Sequence, residues 1–147
     1  MVSEKQLYEL VKTCIPNEYD LKLRFSHART THNIMAGKNR MINNTLGVFF
    51  KQAYSPQRNA SGKYVSNSKR VIFNLYTDIL SNSSALDGCV ILGKIRDNLL
   101  DLRSSTVEID GEFIRVIDSE LSIDVDYIGM TEQGQAFFSL EMILTYR

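Results

Sequence analysis

Carboxylates are the first groups in this chain that could do chemistry. Asp124 and Asp126 stand two apart in LSIDVDY, and Asp118 and Glu120 stand two apart just before them, so on an extended chain each pair shares a face. Paired carboxylates serve hydrolysis or hold a hard cation. Here they alternate with Leu121, Ile123, Val125 and Tyr127, the pattern of a strand with one buried and one wet face, and the spacing assigns them no basic partner. A wetted sheet surface is the better reading. His27 and His32 are five apart, off the i, i+4 spacing that sets two imidazoles on one helix face, and no acid adjoins them in sequence to complete a metal site. Cys14 and Cys89 are isolated among apolar neighbours, where cysteine acts as a small hydrophobe of a reducing compartment. The chain has no phosphate-binding glycine loop, GxSxG elbow, HExxH or CxxC. No catalytic, cofactor-binding or metal-binding residue is assigned, and no enzyme is expected.

The basic residues carry more information. The net charge is zero, yet from Lys22 to Arg70 there are ten Lys or Arg and no Asp or Glu, whereas from Asp101 to Arg147 ten acids stand against three arginines. Such a split has three physical readings: neutralisation across the fold, a nucleic-acid surface, or complementary faces that meet between copies of the chain. For nucleic acid, Lys and Arg interleave with Phe49, Phe50, Tyr54 and Tyr64, a composition suited to phosphate contacts plus base stacking. No RNP-type or helix-turn-helix signature accompanies them. For assembly, the candidates are Arg58, Lys63, Lys69 and Arg70 on the basic side and Asp118, Glu120, Asp124 and Asp126 on the acidic side.

Periodicity supplies the elements that must position these groups. Leu7, Leu10, Val11 and Cys14 recur at helical spacing over residues 4–14, with Ser3 and Gln6 placed as a capping box and Pro16 just beyond. Tyr19, Leu21, Leu23 and Phe25 alternate with Asp20, Lys22 and Arg24 as in a half-buried strand. Residues 26–47 lack either period and read as a long loop. LGVFFKQAY and RVIFNLY are strands by composition, and they could pair as a hairpin whose polar tip spans 55–69.

A core helix over 85–103 follows from Leu86, Cys89, Leu92, Ile95, Leu99 and Leu102, capped by Ser84 and Asp87. Gly88 and Gly93 lower its propensity, so packing on a sheet must maintain it. Residues 106–147 read as about four strands. Asp110-Gly111 marks a tight hairpin, and Glu132 to Gly134 turn the chain into a last strand with Phe138, Leu140, Met142, Leu144 and Tyr146 on one face. The expected fold is α+β: one domain, 1–147, with a mainly antiparallel sheet, two packed helices and a long loop-bearing hairpin.

A hydrophobic fraction of 44% and a charged fraction of 23% are those of a globular protein, and no apolar run approaches the roughly 20 residues that span a bilayer. MVSEKQLYELVKTCI lacks a continuous apolar stretch, so it does not read as a signal peptide, and synthesis in the cytoplasm is expected.

The layout of a short helix, a strand, a strand pair whose extended polar tip ends in RVIFNLYTD, a helix VILGKIRDNLLDL and a closing pair LSIDVDYIGMTEQGQAFFSLEMILTYR resembles the tail-terminator and minor-capsid (neck) proteins of long-tailed bacteriophages. The resemblance runs from about Tyr19 onward. It implies a structural virion protein in the tail or neck: a ring, usually a hexamer, that sits on the tail tube, stops its polymerisation and docks to the neck or connector protein. It implies transient contact with DNA in the lumen, no membrane and no cofactor. The alternative is a small nucleic-acid-binding module using residues 22–70.

Overall fold

The computed structural model describes residues 2–19, 21–25, 45–54, 57–58, 60–62, 64–78, 85–130 and 135–147, with backbone only at 57, 58, 64, 65, 78 and 85–87. Lys63, both histidines, the Ser84–Asp87 cap and the turn at 132–134 lie outside the described residues or side chains. The first helix, α1 (Glu4–Lys12), starts where its cap dictates: the Ser3 hydroxyl accepts from the Gln6 amide N–H at 3.1 Å, and Gln6 Oε1 accepts from the Ser3 N–H at 2.9 Å. It ends two residues earlier than the periodicity predicts. Thr13 caps it, and the Cys14 N–H donates to the Val11 carbonyl at 2.9 Å, so a tight turn rather than helix carries Cys14 and Ile15 into the core.

Seven strands follow among the described residues: β1 (Lys22–Phe25), β2 (Thr45–Gln52), β3 (Gln57–Arg58), β4 (Tyr64–Asp78), β5 (Thr106–Ile109), β6 (Glu112–Met130) and β7 (Gln135–Tyr146). Helix α2 (Ala85–Asp101) lies between β4 and β5 in the chain. The sheet order is β1-β2-β4-β7-β6-β5, with β3 beside β4. All neighbours are antiparallel except β1 and β2, so the sheet is mixed. A parallel pair needs a crossover of a dozen residues or more, and residues 26–44 are long enough to supply it. The expected loop 26–47 is therefore corrected at its end, because Thr45 to Gly47 already belong to β2.

The β2–β4 hairpin forms in a register running from Thr45 opposite Tyr76 to Gln52 opposite Lys69. Its tip is shorter than the predicted 55–69. The returning strand begins at Tyr64, because β7 supplies ladder partners as far as Asn67 opposite Tyr146 and β3 folds back on Tyr64 and Ser66. In the C-terminal part, the predicted separate strands around VEIDGEFIRV and LSIDVDY become β5 and one long β6. At the turn between them Asp110 and Gly111 have φ of 52° and 80°, the positive values a type I′ turn requires.

β7 is the middle of the core. Phe138, Leu140, Met142, Leu144 and Tyr146 are buried on one sheet face together with Val71, Phe73, Leu75, Leu46 and Val48, and α1 (Leu7, Leu10, Val11) and α2 (Leu92, Ile95, Leu99) add their apolar sides to the same cluster. Gly88 lets α2 approach closely, since a Cβ there would fall inside the Phe138 ring. Asn98 of α2 donates to the Cys14 carbonyl at 2.9 Å, and Lys94 lies 5.0 Å from the centre of the Tyr19 ring while pairing with Glu18 at 3.0 Å. The second helix thus holds the chain just after the first one.

Candidate assembly surface

Strand β6 pairs on one side with β7 along most of its length, but on the other side β5 covers only Glu112 to Arg115. Val116 donates its N–H to the Ser105 carbonyl at 2.8 Å, and from Ile117 to Met130 no strand lies on that side among the described residues. This edge carries Asp118, Glu120, Asp124 and Asp126.

Its apolar residues contradict the predicted inward face. Leu121, Ile123 and Tyr127 are exposed and Val125 is half-buried; Ile123, Ile128 and Met130 show 57%, 55% and 60% of their surface. For Ile123 the reason is register. Shifts between Val116/Asp118, Leu121/Ile123, Ile123/Asp126 and Tyr127/Gly129 break the two-residue alternation. Leu121 lies opposite Met142 and Tyr127 opposite Phe138, on the helix-covered face, whereas Ile123 lies opposite Glu141 on the other. Tyr127 leans on the core, its ring centre 5.3 Å from that of Phe138, and half-buried Val125 packs against the core as well.

The charged candidates are engaged mostly within the chain. Asp118 meets Arg103 Nε at 2.8 Å and Asp124 meets Arg96 Nη1 at 2.8 Å, so both acids take partners from α2 and the turn after it. Arg96, with the Val125 N–H at 2.7 Å, holds the Asp124 carboxyl below its usual range. Glu120 accepts from the Tyr54 hydroxyl at 2.9 Å, a bond that raises the Tyr54 pKa by stabilising the protonated phenol. Lys69 lies 3.7 Å from Glu4, and Arg70 lies 3.6 Å from Glu141, whose carboxylate also accepts from the Ser122 hydroxyl at 2.8 Å. Of Arg58 the backbone alone is described, opposite Tyr64. These pairs are half-buried or exposed and open to water on one side at least, so each is worth about 0–1 kcal/mol and neutralises charge more than it holds the fold.

Among the exposed charges that make no side-chain hydrogen bond or ion pair with the described residues are Lys22 and Arg24 on β1, Lys51 on β2 and Asp126 on β6. The three bases are absent from the sequence-derived candidates, although the alternation in KLRF already put Lys22 and Arg24 on the polar side of a strand. What sequence could not show is their place in the sheet. The basic strands stand at the β1 edge and the acidic strand near the other, with β7 between them. Register aligns them as well: Arg24 lies opposite Gly47, Gly47 opposite Asn74, Asn74 opposite Ser139 and Ser139 opposite Asp126. One row of side chains therefore runs across the sheet on a single face, with a free guanidinium at one end and a free carboxylate at the other.

Elsewhere, a cleft of about 220 Å³ is lined by Lys12, Ile15, Pro16, Asn17, Leu21 and Leu23, with Lys12 its one ionisable side chain. Among the described residues no three His, Cys, Asp or Glu side chains converge as a metal set, and no helix is long and apolar enough to cross a membrane. Burial pushes the Cys14 thiol up to about 11, which suits a packing role rather than a nucleophilic one.

No known family model matches the chain, and no curated protein matches it. One solved structure, whose name describes no activity, aligns over 97% of this chain and 87% of its own at 14% identity with a TM-score of 0.44.

Proposed function

We propose that this chain is a structural subunit that works by assembling with copies of itself into a ring, of the kind that terminates the tail tube of a long-tailed bacteriophage and joins it to the neck. The observation that carries this reading is the open edge of β6, where exposed Leu121, Ile123, Ile128 and Met130 stand among carboxylates on a strand that past Val116 has no outer neighbour among the described residues. An exposed apolar edge is an aggregation hazard in a monomer and a docking strip in an assembly. Charges on both flanks select which partner docks. In this role the chain performs no catalytic step; its partners are further copies, the tail-tube protein and the neck protein, and DNA passes through the lumen.

Size-exclusion chromatography with light scattering, run at low and at high salt, tests it. A single defined oligomer, a hexamer, is the expected result, with electron microscopy showing rings. A salt-stable monomer that binds single-stranded DNA with a steep salt dependence overturns the proposal and favours the nucleic-acid module. Against that outcome stands the engagement of Lys69 and Arg70 by Glu4 and Glu141, which leaves the basic stretch less free for phosphate than its composition implies.

A further inference from the structure

We infer that successive copies join head to tail by continuing the sheet, the β1 edge of one copy pairing antiparallel with the β6 edge of the next, with Arg24 set against Asp126. The inference rests on the assembly reading above and specifies its contact. Both edges are open: β1 pairs only with β2, and β6 beyond Val116 pairs only with β7, among the described residues. Through the chain of antiparallel partners β1 and β6 run in opposite directions, so a copy placed beside the first meets it as an antiparallel pair.

The rows decide what meets what. Arg24 and Asp126 end one row, on the face turned away from the helices, and both are exposed and unpaired among the described residues. The adjacent row runs from Leu23 through Leu46, Leu75 and Phe138 to Tyr127 on the helix-covered face. Continuing the sheet without a shift in level thus sets a cation against an anion on one face and an aliphatic side chain against a half-open ring on the other. Both pairings are of the kind that stabilises adjacent strands. Exposed Phe25, next along β1, supplies further apolar cover.

Charge also argues against the symmetric alternative. Pairing β6 with β6 would bring Asp118, Glu120, Asp124 and Asp126 against their own copies, and pairing β1 with β1 would oppose Lys22 and Arg24; like charges directly opposite are destabilising. Only the unlike edges match. Such a contact is heterologous, so it closes into a ring when the rotation per subunit allows, and the twist natural to a sheet provides a rotation.

Charge exchange tests the pairing. Arg24→Glu and Asp126→Arg should each raise the concentration at half-assembly by about tenfold or more, whereas the double variant and an equimolar mixture of the two single variants should both recover assembly. Circular dichroism melting checks that every variant is folded, as both side chains are exposed. In a Cys89→Ser background, Arg24→Cys with Asp126→Cys should give a covalent ladder on oxidation. A wild-type monomer sinks both this contact and the assembly reading. An oligomer indifferent to the single variants, or without the ladder, overturns this contact alone, and so does a dimer crosslinked through Asp126→Cys by itself.

Discussion

Tyr76 shows how one hydroxyl can work against the fold that contains it. Its ring stacks on Phe137 with centres 5.0 Å apart, its surface is almost wholly buried, and its hydroxyl finds no hydrogen-bond partner among the described residues. Burial pushes its pKa from 10.0 to about 12, because the phenolate would lose its hydration. In the unfolded chain Tyr76 gives up its proton near pH 10, while the folded chain keeps it until about 12. The stability tied to that proton is fully present below pH 10 and is lost as pH rises toward 12, a fall of roughly 2–3 kcal/mol. Tyr76→Phe should be neutral or stabilising by about 1 kcal/mol at pH 7, since it removes a buried unpaired group. Its denaturation midpoint should also fall less between pH 9 and 11 than that of the unaltered chain. A loss of more than 1 kcal/mol at pH 7 would show that the hydroxyl has a partner.

At the scale of the element, α2 contains two glycines that sequence treats alike and packing does not. An interior glycine costs a helix about 1 kcal/mol relative to alanine, so both Gly88→Ala and Gly93→Ala read as stabilising. At Gly93 a Cβ meets only the Arg96 guanidinium at 3.7 Å, an ordinary contact, and urea denaturation should show a gain of up to about 1 kcal/mol. At Gly88 it would enter the ring of Phe138, which is fully buried under Tyr127 and cannot step aside; the same substitution should cost about 1–3 kcal/mol. Opposite signs from two identical substitutions would establish that α2 is held by its fit to β7. Equal gains would place the helix farther from the sheet. The same lesson applies to β6: alternation in LSIDVDY foretold a strand, yet the register shifts put Ile123 on the face opposite to Leu121 and Tyr127.

For the whole molecule, the division of charge along the chain is a division across the sheet, and it separates two neighbouring carboxylates by role. Asp124 is bonded to Arg96 and ties β6 to α2, so Asp124→Lys should lower stability by up to about 1 kcal/mol, the worth of an exposed pair. Asp126 has no such partner among the described residues, and Asp126→Lys should leave the denaturation midpoint nearly unchanged while dispersing the oligomer in light scattering. Asp126→Lys that unfolds the chain, or that leaves the oligomer intact, would remove Asp126 from the boundary. The order of the strands also explains why Asp118 and Asp124 find Arg103 and Arg96 and not the basic segment: α2 packs against β6, whereas β1 and β2 lie beyond β4 and β7.

Local chemistry was legible from the chain alone. Ser3 and Gln6 cap α1, Asp110-Gly111 turns β5 into β6, the 2.0 and 3.6 periods mark β7 and α2, and the charge split is a matter of counting, because each of these depends on residues within a few positions of one another. Tertiary structure alone decided which strands are neighbours, where the tip of the hairpin becomes strand, which acids are spent on α2, and that Arg24 and Asp126 end the same row. These depend on contacts between segments tens of residues apart, and a one-residue shift of register reverses the face of every side chain that follows. The charged edge of β6, open among the described residues, is therefore a property of the sheet, not of the segment that forms it.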